Sequence, residues 1–137
     1  MIHEIRSAFA QISADDKTRV VVLQATGRSF SAGADMNWMK RMIDYSEQEN
    51  ILDSRNLYEM LKAIRDCPVP TISRIQGSAL GGGCGLIAAT DMAFGLQNAK
   101  FGFTEVKLGL VPAVISPFVR DKIGLNNCRR FFLTGER

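Results

Sequence analysis

Three short stretches carry residue types from which a reaction site could be built. The first is GSALGGGCG, residues 77–85, with five glycines in nine positions between the strand-like TISRI and the apolar LIAAT. A strand–glycine–helix order exposes backbone N–H groups at a helix start, where the dipole favours a nucleotide phosphate, a pyrophosphate or an oxyanion formed in a reaction. A Walker loop needs Lys and then Ser/Thr after its last glycine, and this run supplies neither. The dinucleotide pattern ending in alanine is met by Gly83-Cys84-Gly85-Leu86-Ile87-Ala88, but its first glycine falls several residues past the strand. Close helix–strand packing, which glycine permits, is the competing structural use, with equal weight.

The second stretch is SFSAGAD, residues 29–35, a run of small residues after a valine-rich segment. Taken singly it is an ordinary loop whose Asp35 caps the next helix. The third is Glu105, set between FGF and VKLGLVP. Burial there would lift its pKa toward the range useful for acid–base work; the plainer alternative is a surface pair with Lys107. His3 is the only histidine and lies far from these loops, so Ser-His-Asp, Cys-His and His-rich zinc schemes have no histidine to use. No metal site is expected. Trp38 and the stripe Met36, Met39, Met42 are predicted to pack a short helix.

The elements that must position these residues follow from periodicity. A helix is predicted from the start of the chain, with Ile2, Ile5, Phe9 and Ile12 on one face. A buried strand is predicted over 19–25 and a short helix over 36–42. Ser46 and Glu49 have capping-box spacing and open a helix to about Asp66, with the stripe Ile51, Leu52, Leu57, Leu61, Ile64, ended by Cys67-Pro-Val-Pro70. Further strands are expected at 71–75, 91–96 and 101–103, with helices at 116–122 and 126–132. Strands alternating with helices indicate α/β with crossover connections.

The chain has 137 residues, enough for one domain at about 150 residues per domain. Seventeen Lys+Arg against fourteen Asp+Glu leave +3, too little for a nucleic-acid footprint, and no apolar run is long enough to span a membrane. Cys67, Cys84 and Cys128 lack paired spacing and are predicted to be free thiols of a reducing compartment, with the cytoplasm the expected location.

Together FSAGADMNWMK (30–40), PVPTISRIQGSALGGGCGLIAATDMAFG (68–95) and AKFGFTEVKLGLVP (99–112) resemble the crotonase (enoyl-CoA hydratase/isomerase) superfamily in content, order and spacing. The resemblance implies a crotonase-like ββα spiral core over 1–137, as a partial domain lacking the first strands and the C-terminal trimerisation helices. It implies an acyl-CoA thioester as substrate, no separate cofactor since coenzyme A is part of that substrate, and a homotrimer or a hexamer built as a dimer of trimers. Ala34 and Gly82 would supply the two oxyanion-hole N–H groups, and Ala32, Ala34, Asp35 and Met36 would line the CoA path. Glu105 matches the second glutamate of the family's hydratases, whereas the first glutamate position holds Gly85. A second departure follows Pro112, where a glycine-rich continuation is replaced by AVISPFV. Both departures resemble a bacterial methylglutaconyl-CoA hydratase subgroup of leucine breakdown. The resemblance thus implies hydration of such a substrate, with a single-glutamate Δ3,Δ2-enoyl-CoA isomerase and a non-catalytic CoA-binding or assembly protein as the alternatives.

Overall fold

The structure is a computed structural model that describes residues 1–137, the side chains of residues 36 and 37 excepted. Its elements run α1 (Ile2–Ser13), β1 (Val21–Gln24), α2 (Met36–Met42), α3 (Glu47–Arg65), β2 (Thr71–Ile75), β3 (Ala79–Leu80), α4 (Gly82–Ala89), β4 (Met92–Gly95), β5 (Phe101–Gly102), a 3₁₀ turn (Thr104–Leu108) and α5 (Ser116–Thr134). β1, β2 and β4 form a parallel sheet in that order, and β3 pairs in parallel with β5. This is the alternating α/β arrangement expected.

Ser46 and Glu49 cap α3 reciprocally: the Glu49 N–H donates to Ser46 Oγ at 3.3 Å and the Ser46 N–H donates to Glu49 Oε2 at 2.8 Å. The C-terminal half of α3 buries Met60, Leu61 and Ile64 against α1, whose Phe9 is buried, and against α4. Two residues of the expected α3 stripe, Ile51 and Leu52, are instead exposed; only the half of the helix that meets α1 and α4 is covered. The 116–134 stretch breaks at Gly124, whose φ of 77° and ψ of 158° are not helical, which accounts for the two shorter helices expected there.

The strand expected to be buried over 19–25 spans only 21–24 and alternates half-buried with exposed residues. It lies at one edge of its sheet. Leu23 turns inward, while Val22 stands with Ile72 and Arg74 of the central strand on the sheet's other face, where Arg74 too is exposed. Phe94 of β4, at the opposite edge, is 63% exposed.

A polar cluster fastens the sheet to the end of α4. Thr71 donates to Asp91 Oδ2 through its N–H at 2.7 Å and its hydroxyl at 2.8 Å, and the hydroxyl accepts from the Asp91 N–H at 2.9 Å. Behind it the Ser73 and Thr90 hydroxyls bond at 2.9 Å in the interior, and Lys122 Nζ donates to the Thr90 and Asp91 carbonyls. The Thr71 donors hold the Asp91 carboxyl below the usual aspartate range. A pKa lower in the folded than in the unfolded state adds stability above the unfolded value and loses it as pH falls through the folded one. Asp91 is exposed and the Thr71 N–H bond survives in the variant, so Thr71→Val is expected to cost about 1 kcal/mol near neutrality. In thermal melts the gap to wild type should narrow below about pH 4.

Candidate functional site

Three chain segments leave one small parallel arrangement in the same direction. β3 is central, with β5 on one side and Ser31 bridged in parallel to Ala79 on the other. The Ser31 N–H donates to the Ser78 carbonyl and the Leu80 N–H to the Ser31 carbonyl, both at 3.0 Å. Across β5, the Ala79 N–H donates to the Lys100 carbonyl at 2.8 Å and the Gly81 N–H to the Gly102 carbonyl at 2.9 Å. The continuations of these neighbours are the 32–35 loop, the start of α4 and the turn that carries Glu105. Ligand sites of parallel α/β sheets form at this carboxyl end of the strands.

The glycine run is used residue by residue. Gly81 has φ 53° and precedes the first turn of α4, a backbone state that glycine reaches freely. A Cβ there would lie 2.8 Å from Glu105 Oε1, so the same glycine makes room for the carboxyl. A Cβ on Gly83 would come within 2.5 Å of the Ser31 Cβ, so this glycine lets the SFSAG segment close onto α4. Gly82 faces open space: nothing lies within 4 Å of where its Cβ would stand. Among the described residues nothing accepts from the Gly82 or Gly83 N–H. These donors and the α4 dipole favour negative charge beside Gly82. The packing use that the sequence allowed is thus taken by Gly81 and Gly83, while Gly82 opens the helix with its N–H unbonded. The helix itself begins at Gly82, earlier than the run of glycines suggests.

Glu105 is half-buried, and among the described residues no group hydrogen-bonds its Oε2. Burial raises its pKa above the ordinary glutamate range. It makes no ion pair with Lys107 among the described residues, which removes the surface-pair alternative. The turn beneath it is held by the Leu110 N–H donating to the Glu105 carbonyl at 3.0 Å and by Gly109 in the left-handed conformation. Cys84 is buried beside this region, and burial pushes its thiol up to about 11, so it stays a neutral packing group.

Ala32, Ala34 and Asp35 lie exposed on the loop after Ser31. Asp35 Oδ1 accepts from the Trp38 N–H at 3.4 Å at the start of α2, in the capping position expected. The Met36 side chain, expected on the CoA path, lies outside the described residues. Trp38 Nε1 donates to Asp53 Oδ1 at 3.2 Å and ties α2 to α3. His3 is exposed on α1, and Cys67, Cys84 and Cys128 are free thiols. No group of three His, Cys, Asp or Glu is arranged to hold a metal among the described residues, and none of their helices is long and apolar enough to cross a membrane.

Gly85 departs from what the family resemblance would place there. A Cβ at this position would fall 2.5 Å from Ile115 Cγ2, 3.0 Å from Ile115 Cβ and 3.6 Å from Leu61 Cδ1. Ile115 was not singled out from the sequence; the AVISPFV replacement after Pro112 is the signal that contains it.

Comparison with known proteins agrees with this geometry. Residues 1–137 match the family described as Enoyl-CoA hydratase/isomerase. A solved Legionella pneumophila structure assigned to enoyl CoA hydratase/isomerase (crotonase) is 45% identical with a TM-score of 0.96, covering 98% of this chain and 52% of its own. An enoyl-CoA hydratase structure from Shewanella pealeana is 38% identical with a TM-score of 0.96, over 98% of this chain and 51% of its own. The enoyl-CoA isomerase/hydratase fer4 of Mycosarcoma maydis is 37% identical over 119 residues, 85% of this chain and 42% of its own. The chain belongs to the enoyl-CoA hydratase/isomerase family and has the crotonase fold. It spans about half the length of the curated relatives it matches.

The position of Glu105 has a measurable consequence. A carboxyl whose pKa is raised by folding adds stability below its unfolded pKa and loses it as pH rises through the folded one. Glu105→Gln is therefore expected to melt higher than wild type at pH 8. The two should converge below about pH 4. A wild type that melts higher at pH 8 would show the carboxylate to be paired.

Proposed function

We propose that the whole protein acts on an enoyl-CoA thioester through an enolate, with Glu105 as its acid–base group. The observation that carries this reading is the half-buried Glu105 carboxyl, its Oε2 without a hydrogen-bond partner among the described residues, standing against Gly81 next to the free N–H groups that open α4. The thioester oxygen would accept from the Gly82 and Ala34 N–H groups, each such donor worth about 3 kcal/mol to the charge it meets. Ala32, Ala34, Asp35 and Met36 would guide the CoA portion past the small-residue loop.

In the hydration reading, Glu105 takes a proton from water as the water oxygen bonds to Cβ. The Cα–Cβ electron pair moves onto the thioester as an enolate held by the two N–H groups. Glu105 then returns the proton to Cα as the enolate collapses, so the product has gained one water and the carboxylate is restored. The substrate we favour is of the methylglutaconyl-CoA type, as in leucine or isoprenoid breakdown. The lack of a carboxylate at Gly85 supports it, since none is there to repel a substrate's own carboxylate. The cytoplasm, which three free thiols suit, is the location proposed, and a homotrimer or a dimer of trimers, carried over from the family resemblance, is the assembly proposed.

The contact of Ile115 with Gly85 favours a second reading, Δ3,Δ2-enoyl-CoA isomerisation. Glu105 would remove a proton from C2 of a 3-enoyl thioester and return it to C4, moving the double bond to C2–C3 at unchanged mass. Chromatography coupled to mass spectrometry of the products from 3-methylglutaconyl-CoA, crotonyl-CoA and a 3-enoyl-CoA separates the two, since the migrated isomer differs from its substrate in retention and the hydrated product in mass. Gain of one water supports hydration, and migration at constant mass supports isomerisation. No turnover by the whole protein would leave a CoA-binding or assembly role.

Two variants test the assigned groups in either reaction. Glu105→Gln is expected to lower turnover by about 10²–10⁴-fold. Gly82 is the first residue of α4, where proline is tolerated and only its N–H is lost. Gly82→Pro should reduce kcat by about 10²–10³-fold, while Gly82→Ala, which keeps the N–H, should remain active.

A further inference from the structure

Gly85 lies three residues after Gly82 on α4, one turn further along the same face. The space on this side of Gly85 is filled by Ile115, with its Cγ2 nearest and its Cβ close behind. Because Cβ is bonded directly to the backbone and the side chain is branched there, rotation about χ1 cannot clear the position. The backbone is held as well. Ile115 caps α5, its carbonyl accepts from the Val119 N–H at 3.1 Å, and Pro117 stiffens the first turn. Ile115 is 3% exposed and Leu61 fully buried, so this flank of the glycine run is apolar and dry.

We propose that Ile115 is a specificity-determining residue, which seals the flank below Gly82 and so sets the balance between double-bond migration and hydration at Glu105. Migration needs only the one carboxyl, which takes a proton from C2 and gives it back at C4. Hydration also needs a water oxygen to reach Cβ while the same carboxyl accepts the water's proton and passes one to Cα. An apolar wall fixed to the start of α5 denies water a place on that side. Trimming the wall should admit water without touching either the carboxyl or the N–H donors.

This inference rests on the isomerisation form of the enolate reading above, and the test separates the two. The whole protein, wild type, Ile115→Leu and Ile115→Ala, is given a 3-enoyl-CoA and crotonyl-CoA; the isomeric enoyl-CoAs are separated by chromatography, and the hydrated product is identified by its added mass. The hydrated-to-migrated ratio is expected to rise in both variants, by about tenfold for Ala. Leu keeps the side chain's volume but is not branched at Cβ and so lacks Cγ2, the atom nearest Gly85; it carries the test if Ala fails to fold. Turnover with an unchanged ratio in the folded variants overturns this inference alone, as does a wild type that only hydrates. No turnover of either substrate by wild type overturns the enolate reading and this inference with it.

Discussion

The parallel seating of Ser31, β3 and β5 is the constraint on which the rest of the site depends. Each backbone is held to its neighbour by hydrogen bonds of 2.8–3.0 Å, and all three chains run the same way. Their next residues must therefore emerge together: the small-residue loop, the head of α4, and the turn with Glu105. Side chains contribute little to this convergence. What makes it feasible is the lack of side chains at Gly81 and Gly83, since a methyl group at either would collide with Glu105 or Ser31.

Around that constraint the molecule spends its interior on holding α4 still. α3 and α5 pack on it, Leu61 and Phe118 being almost fully buried, and the Thr71–Asp91 and Ser73–Thr90 bonds pin its far end to the sheet. The Glu105 turn is held from the other side, where Phe103 meets Phe132 edge-on at 4.7 Å between ring centroids and Gly135 approaches Val106. A helix start with free N–H groups and a partly desolvated carboxyl are each unfavourable in isolation. Fixed beside one another, they are the two groups on which the proposed enolate chemistry draws.

Much of this was legible in the sequence because local signals decide it. The capping box at Ser46 and Glu49, the Pro68/Pro70 stop and the alternation of strands with helices all reappear in the structure. Glu105 was legible as a carboxylate in an apolar setting. Exposure was less so: the valines of β1 suggest full burial, yet Val22 lies on a face of the sheet that is open even at Arg74 of the central strand, which depends on neighbours in space and not in sequence. The individual tasks of the glycines were also hidden, because Gly81, Gly83 and Gly85 meet Glu105, Ser31 and Ile115 from distant parts of the chain. Ile115 itself carries no chemical signal. Its significance comes from the glycine it touches.

The central claim is that Glu105 moves a proton at the α-carbon of a thioester. It is tested most directly by exchange in D2O with a saturated acyl-CoA, where neither hydration nor migration can occur. Wild-type protein should incorporate deuterium at C2, read by mass spectrometry one unit at a time, and Glu105→Gln should incorporate none above background. Exchange at the wild-type rate in folded Glu105→Gln would contradict the account.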